Sequence, residues 1–394
     1  MMYLKIPNYP QEFIDAYVKF MFSKYINEID RIDVKSKKSK KSNKANENVI
    51  KHKIKGSYLL TKLSKKDKVY KNSILNNKMT QDNIIKEYLR VMSNDKMENC
   101  DNNFIADVDS IIKERSSQII ELFRKDYSKE FNTFFEYFKE LLLMKPEDME
   151  KYVYQNRDNN TGNWECIKSL YNLSKVIDVA GKPEKINTLM VRNFIDFGGK
   201  GLLVCPYCNR NYVNNRGKAL GSEIDHIYNK NKYPMFAISL YNFIPSCSSC
   251  NRIKWTKELK INPFLRDNTN KIKFDITKDV DGYKIDFIHD LNGNVTDKNN
   301  IEELKKDVIT LRLDEAYEIH DIEIKEMVER ERKFGSEYRE FLKKIFPEEG
   351  FELEKKIDEL IYGDVVFTPD EELINKSLGK FKKDVYEKIK EWKE

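Results

Sequence analysis

Two Cys-x-x-Cys pairs, Cys205-Pro-Tyr-Cys208 and Cys247-Ser-Ser-Cys250, constrain this chain more than any other feature. Two such knuckles can present four thiolates tetrahedrally to one zinc ion, with ligands Cys205, Cys208, Cys247 and Cys250. The segment 209–246 between them is longer than in the shortest zinc ribbons, so it must itself fold. The alternatives are two disulfides or inert core thiols. Disulfides are the weaker alternative, because no N-terminal stretch combines a basic start, an apolar core and a small-residue cleavage site. Cys100 and Cys166 have no partner at ligand spacing and read as ordinary thiols.

The rest of the composition narrows the class. Charged residues make up 35% of the chain and mean hydropathy is −0.70, whereas 22 Phe and 22 Tyr supply too much apolar mass for general disorder. Tyr233 to Asn251 carries no charge, but Pro234, Asn242 and Pro245 within it exclude a membrane span. A cytoplasmic protein is expected. The net charge of +6 conceals its distribution. Lys35 to Gly56 holds nine lysines against the single Glu47, and Lys200 to Lys260 holds ten Lys or Arg against Glu223, Asp225 and Glu258. The first run reads as a solvated loop, with loose phosphate affinity as the alternative. The second, concentrated around the cysteine pairs, is the better sign of a polyanionic partner.

The expected architecture is α+β, with mostly helical flanks around a compact zinc-stabilised module and a β-hairpin after it. Residues 1–34 form a helical segment carrying Phe13, Tyr17, Phe20, Met21 and Tyr25 at helical spacing. Residues 35–56 form the lysine-rich loop, and 57–195 a helical domain. Its most periodic run goes from Val108 to Leu142 and closes at Pro146, and a further helix covers Glu165 to Val179 before a turn at Gly181-Lys182-Pro183. Residues 196–266 form the small module. Residues 267–300 alternate apolar and polar residues around Asp-Gly and Asn-Gly, a hairpin signature. Residues 301–394 are helical, with Leu313, Tyr317, His320, Ile324 and Met327 on one stripe.

Between the knuckles lies Glu223-Ile224-Asp225-His226, an alternating piece that suits a short strand. Adjacent Asp and His on a strand point to opposite faces, so one can hold a hard divalent cation while the other meets a different part of a substrate. Asn242 follows in Tyr241-Asn242-Phe243-Ile244-Pro245, and Asn251 immediately follows the last cysteine. Ser248 to Glu258 lacks Pro and Gly and can start a helix.

The strings CPYCNRNYV, EIDHIYNKNKYP and LYNFIPSCSSCNRIKW together resemble the zinc-containing branch of the HNH endonucleases, the ββα-metal fold, over about Val204 to Lys257. A looser likeness, through Asn262-Pro263-Phe264 and LRLDEAYEIHD, is to bacterial defence-associated HNH proteins of the PtuB type. The resemblance implies that Asp225 and Asn251 hold Mg²⁺ or Mn²⁺ and that His226 is the general base toward a phosphodiester. Asn242 would hold the loop and orient His226. Many members have His where this chain has Asn251, and an amide carbonyl is a weaker but acceptable ligand for a hard cation. Arg210, Lys232, Arg252 and Lys254 would contact flanking phosphates or serve as plain surface charges. The implied activity is metal-dependent cleavage of nucleic acid, with DNA favoured, in a prokaryotic defence effector with a partner protein such as an ATPase. The alternatives are an RNA-directed nuclease and a non-catalytic zinc module that binds nucleic acid or protein. His320 reads as a core residue, His289 as turn chemistry and His52 as part of the lysine-rich loop. Gly198-Gly199-Lys200-Gly201 lacks the spacing of a phosphate loop.

Overall fold

The apolar positions of residues 11–37 return every three or four residues, and a helix is the only way to place them on one face. In the computed structural model this is α1 (Gln11–Lys37), which buries Phe13, Tyr17, Met21, Phe22, Tyr25 and Ile26. The structure describes residue 4 and residues 6–37, 57–93, 102–156, 164–194, 202–214, 221–260, 262–265, 272–280, 282–289, 298–347 and 350–392. The helix enters the lysine-rich stretch as far as Lys37. Residues 38–56, with His52, lie outside the described residues, as do Cys100 and the Gly198–Gly201 run. About 62% of the structure is helical, with three two-stranded antiparallel sheets among the described residues. Among those residues no helix is long and apolar enough to cross a membrane.

The chain divides into two units, Pro10–Ile186 with Lys230–Asn242, and Met1–Tyr9 with Asn187–Asn229 and Phe243–Glu394. The first is helical. After α1 come α2 (Tyr58–Lys66), α3 (Lys68–Leu75), α4 (Gln81–Ser93), α5 (Asn102–Arg115), α6 (Ser117–Glu121), α7 (Phe134–Leu142), α8 (Pro146–Gln155) and α9 (Glu165–Ser169). Phe22 is the centre of its core, stacked on Tyr88 at 5.5 Å and edge-on to Phe135 and Phe138 at 5.4 and 5.5 Å. Such pairs add roughly 0.5–1.5 kcal/mol each beyond their buried area. Asp109 of α5 is buried among these rings and is satisfied there. Its carboxylate accepts hydrogen bonds from Tyr88 Oη and, at 2.9 Å, from the Phe134 backbone N–H. The segment 230–242 is held in this unit by Tyr17 Oη donating to the Ile238 carbonyl and Ser239 Oγ donating to the Leu141 carbonyl, at 2.8 and 2.7 Å.

Two stretches depart from the expected helices. The Val108–Leu142 run is not continuous, because α5 and α6 lead into a wide π turn at Leu122–Asp126 and then a loop. Ser128 adopts φ +51°, and Thr133 starts α7 afresh with a capping box to Glu136. Phe131 keeps its helical spacing in sequence, but the loop turns it onto Tyr137 at 4.9 Å. Pro146 opens α8 at its first turn, where its missing N–H has no partner to lose. The second departure is at 165–179, where helix α9 ends at Ser169. Val176–Val179 (β1) pairs with Lys182–Lys185 (β2) around Ala180 and Gly181, both at positive φ, a hairpin turn matched to strand twist.

The second unit is mixed. It contains α10 (Ile186–Asn193) from its second residue, β3 (Glu223–His226), β4 (Phe243–Ser246), α11 (Ser248–Lys254), the hairpin β5 (Ile272–Asp279) and β6 (Gly282–His289), and the helices α12 (Lys298–Thr310), α13 (Leu313–Tyr317), α14 (Asp321–Lys333), α15 (Ser336–Ile345), α16 (Gly350–Tyr362) and α17 (Gly379–Glu391). The hairpin falls where alternation places it. Phe274 on β5 packs against Phe287, Tyr317 and Phe381 at 4.7, 4.4 and 5.2 Å. Leu313, Tyr317, His320, Ile324 and Met327 are all buried, as their common stripe requires.

Phe22→Ala removes the ring that meets Tyr88, Phe134, Phe135 and Phe138. It is expected to destabilise the helical unit by about 3–5 kcal/mol, read as a lowered denaturant midpoint.

Candidate metal centre

The first knuckle is a tight loop closed by backbone hydrogen bonds. Cys205 N–H donates to the Asn211 carbonyl at 2.8 Å, and Asn209 N–H to the Cys205 carbonyl at 2.7 Å. Asn209 takes the left-handed conformation at φ +50°, which a short amide side chain tolerates. Its Nδ2 donates to the Leu373 carbonyl at 3.2 Å and its Oδ1 accepts from Lys380 N–H at 3.1 Å, anchoring the loop to the C-terminal part of the unit. The second knuckle is the N-terminus of α11, with Cys247 as its N-cap.

These two turns bring Cys205, Cys208, Cys247 and Cys250 together, all buried, with their four sulfurs within 4.8 Å of one another. Cys208 and Cys247 are 4.0 Å apart, and none of the four forms a disulfide. A tetrahedron of thiolates on zinc has sulfurs about 3.8 Å apart, given a Zn–S bond of about 2.3 Å. Backbone and amide N–H groups already point at the sulfurs: Cys247 N–H at Cys205 (3.3 Å), Cys250 N–H at Cys247 (3.5 Å) and Asn211 Nδ2 at Cys247 (3.4 Å). Burial pushes the Cys205 thiol well above its ordinary value, while the hydrogen bond from Cys205 draws Cys208 down. Four buried thiols cannot all ionise beside one another without a cation to share the charge. The donor set therefore fits zinc, and the disulfide alternative fails on distance.

Immediately beside this cluster, β3 pairs antiparallel with β4, Asp225 opposite Ile244 and His226 opposite Phe243. Strand alternation places Glu223 and Asp225 on one face and His226 on the other. The carboxylate face meets α11. Lys254 of α11, only 1% exposed, makes an ion pair with Asp225 at 2.9 Å and donates to the His226 carbonyl at 2.7 Å. Asn251, one turn earlier on the helix, donates through Nδ2 to Glu223. Tyr207, the third residue of the first knuckle, donates through its hydroxyl to Asp225 Oδ2 at 2.7 Å. Burial, reinforced by the Asp225 charge, pushes the Tyr207 hydroxyl well above its ordinary value, so it stays a donor. On the other face, the buried His226 ring meets Phe243 edge-on at 4.9 Å.

The remaining candidates are placed differently. Arg210 is half-buried, donating to His320 Nε2 at 2.9 Å and lying over the Tyr317 ring at 5.5 Å. Lys254 is no surface cation, because its ammonium holds Asp225. Arg252 is exposed. Lys232 and Asn242 belong to the 230–242 segment of the helical unit, Lys232 exposed with its ammonium over the Tyr233 ring, and Asn242 buried with Nδ2 donating to the Phe236 carbonyl at 2.9 Å. Tyr207 and Glu223 escaped the sequence reading. Glu223 was legible, since it precedes Asp225 by the two residues that share a strand face. Tyr207 carried no signal of its own beyond its place between two ligands.

No family model matches the chain, and neither a curated protein nor a solved structure matches it.

Two outcomes are expected from this geometry. The purified chain should carry one zinc per molecule by elemental analysis, and Cys250→Ser should lower that content together with the melting temperature. Lys254→Met strips a buried carboxylate of its cation and should destabilise the mixed unit by about 3–5 kcal/mol in chemical denaturation.

Proposed function

We propose that this chain is a metal-dependent endonuclease of the HNH type, acting on nucleic acid with DNA favoured, in a prokaryotic defence setting. The observation that carries the reading is the order and packing of β3, β4 and α11 beside the four-thiol cluster, which sets Asp225 and Glu223 against a helix bearing Asn251. Concentrated positive charge around these elements in the sequence suits a phosphodiester partner.

By the resemblance, the oxygens of Asp225 and Asn251 would hold magnesium or manganese, and an ion there would have to displace the Lys254 ammonium from Asp225. When bound, such an ion stabilises charge on the phosphate and on the departing oxygen. His226 takes the proton from the attacking water, a role an imidazole fills at neutral pH. Its ring packs edge-on against Phe243. Tyr207 and Lys254 orient Asp225 from two sides, and Arg252 is free to meet flanking phosphate. Asn242, by the resemblance, would hold the connection in which it lies, where its Nδ2 donates to the Phe236 carbonyl.

A second reading is favoured by one particular observation. Both oxygens of Asp225 are engaged by buried donors, Tyr207 and Lys254, so the carboxylate has a structural use that a non-catalytic zinc module would also need.

Cleavage of plasmid and single-stranded substrates, with and without added Mg²⁺ or Mn²⁺, separates the two. The nuclease reading expects metal-dependent cutting that His226→Ala lowers by about 100- to 10,000-fold, with zinc content unchanged and a cooperative melt retained. Undiminished cutting by the variant would remove His226 from the mechanism. Nucleic-acid binding without cutting in any metal would establish the binding module instead.

A further inference from the structure

The end of α11 carries an aromatic residue where the backbone favours glycine. Trp255 closes the helix by donating its N–H to the Asn251 carbonyl at 2.9 Å. Lys254 to Lys257 form a four-residue turn, closed by Lys257 N–H donating to the Lys254 carbonyl at 2.8 Å. Trp255 is the first central residue of this turn, at φ +47° and ψ −112°. Those angles belong to a type II′ turn, whose first central position is dominated by glycine because a Cβ is strained there. Asn229, itself buried, grips the turn by donating to the Thr256 carbonyl at 2.6 Å.

The strained position does not gain burial in return. Trp255 is 75% exposed, against 4% for Trp164 and 44% for Trp392. A large ring held in solvent on a strained backbone contributes nothing to the core, so its use lies with something outside the folded unit. Its sequence neighbours Arg252, Thr256 and Lys257 are also exposed, two of them cationic. On the same helix Asn251 and Lys254 reach the β3 carboxylates. An exposed indole flanked by cations matches the two recurring needs of a nucleic-acid strand, a flat apolar surface for a base and positive charge for its phosphates.

We propose that Trp255 is a stacking platform for an unpaired base of the nucleic-acid strand engaged at β3 and α11, an inference that rests on the nuclease reading above. The turn fixes the indole at the helix end, so the base it holds sets the register of the strand on α11. A strand with unpaired bases is the preferred occupant, because stacking on an indole requires a base face that a continuous duplex hides.

The test measures binding of fluorescein-labelled single-stranded and duplex oligonucleotides by anisotropy, using the zinc-loaded full chain without added magnesium or manganese. Trp255→Ala should weaken single-strand binding by about 5- to 100-fold, and Trp255→Phe should recover most of it. The salt dependence should be unchanged in Trp255→Ala, whereas Arg252→Ala should lower its slope by about one. Trp392→Ala should bind like the wild type. Trp255→Gly relieves the backbone, so it should melt no lower than the wild type while binding as weakly as the alanine variant. If wild type binds and cuts but Trp255→Ala binds equally well, the platform is refuted and the nuclease reading stands. Loss of melting temperature in Trp255→Gly would make the indole structural and refute the platform too. A wild-type chain that binds neither oligonucleotide refutes both.

Discussion

Four thiols converging from two turns organise the mixed unit. The first knuckle and the start of α11 are distant in sequence, and their meeting fixes where β3 and β4 pair and how the helix lies on them. The same convergence sets Tyr207 against Asp225, so a residue between two thiol ligands also orients the carboxylate. A metal held by the four thiols would therefore be coupled to the geometry of the β3 face, because buried thiols need a cation before they can approach one another as thiolates.

The second organising contact is the buried pair of Lys254 and Asp225. Removing two charges from water is costly, and only good geometry with further hydrogen bonds compensates. Both are present here. Lys254 also meets the His226 carbonyl, and Asp225 also meets Tyr207. On the proposed reading this is how a short strand holds its carboxylate in one position. Arg210, by contrast, is drawn into contacts with His320 and Tyr317 and stabilises the C-terminal helices around the first knuckle.

The chain excursion 230–242 adds a constraint of a different kind. It leaves the mixed unit between β3 and β4 and is packed within the helical unit by Tyr17 and by Ser239. Phe236 in the same excursion meets Tyr152 of α8 edge-on at 5.5 Å. The long helical portion of the chain thus has a direct structural relation to the connection that carries Asn242, which its sequence alone did not suggest.

Local rules made much of this legible. Ligand spacing named the four cysteines, period-two alternation located β3 and the β5–β6 hairpin, and helical spacing found α1 and the buried stripe from Leu313 to Met327. These succeed because a strand or helix displays its period in consecutive residues. The tertiary structure decided what periodicity cannot express. Phe131 retains helical spacing yet lies on a loop, because a capping box at Thr133 and a left-handed Ser128 interrupt the run. Val176–Val179 is a strand because Ala180 and Gly181 turn the chain back, not because its own residues exclude a helix. Lys254 is interior rather than superficial because Asp225 faces it across the strand–helix contact. A charge is assigned to surface or core by its partner, and partners distant in sequence are brought together only by the fold.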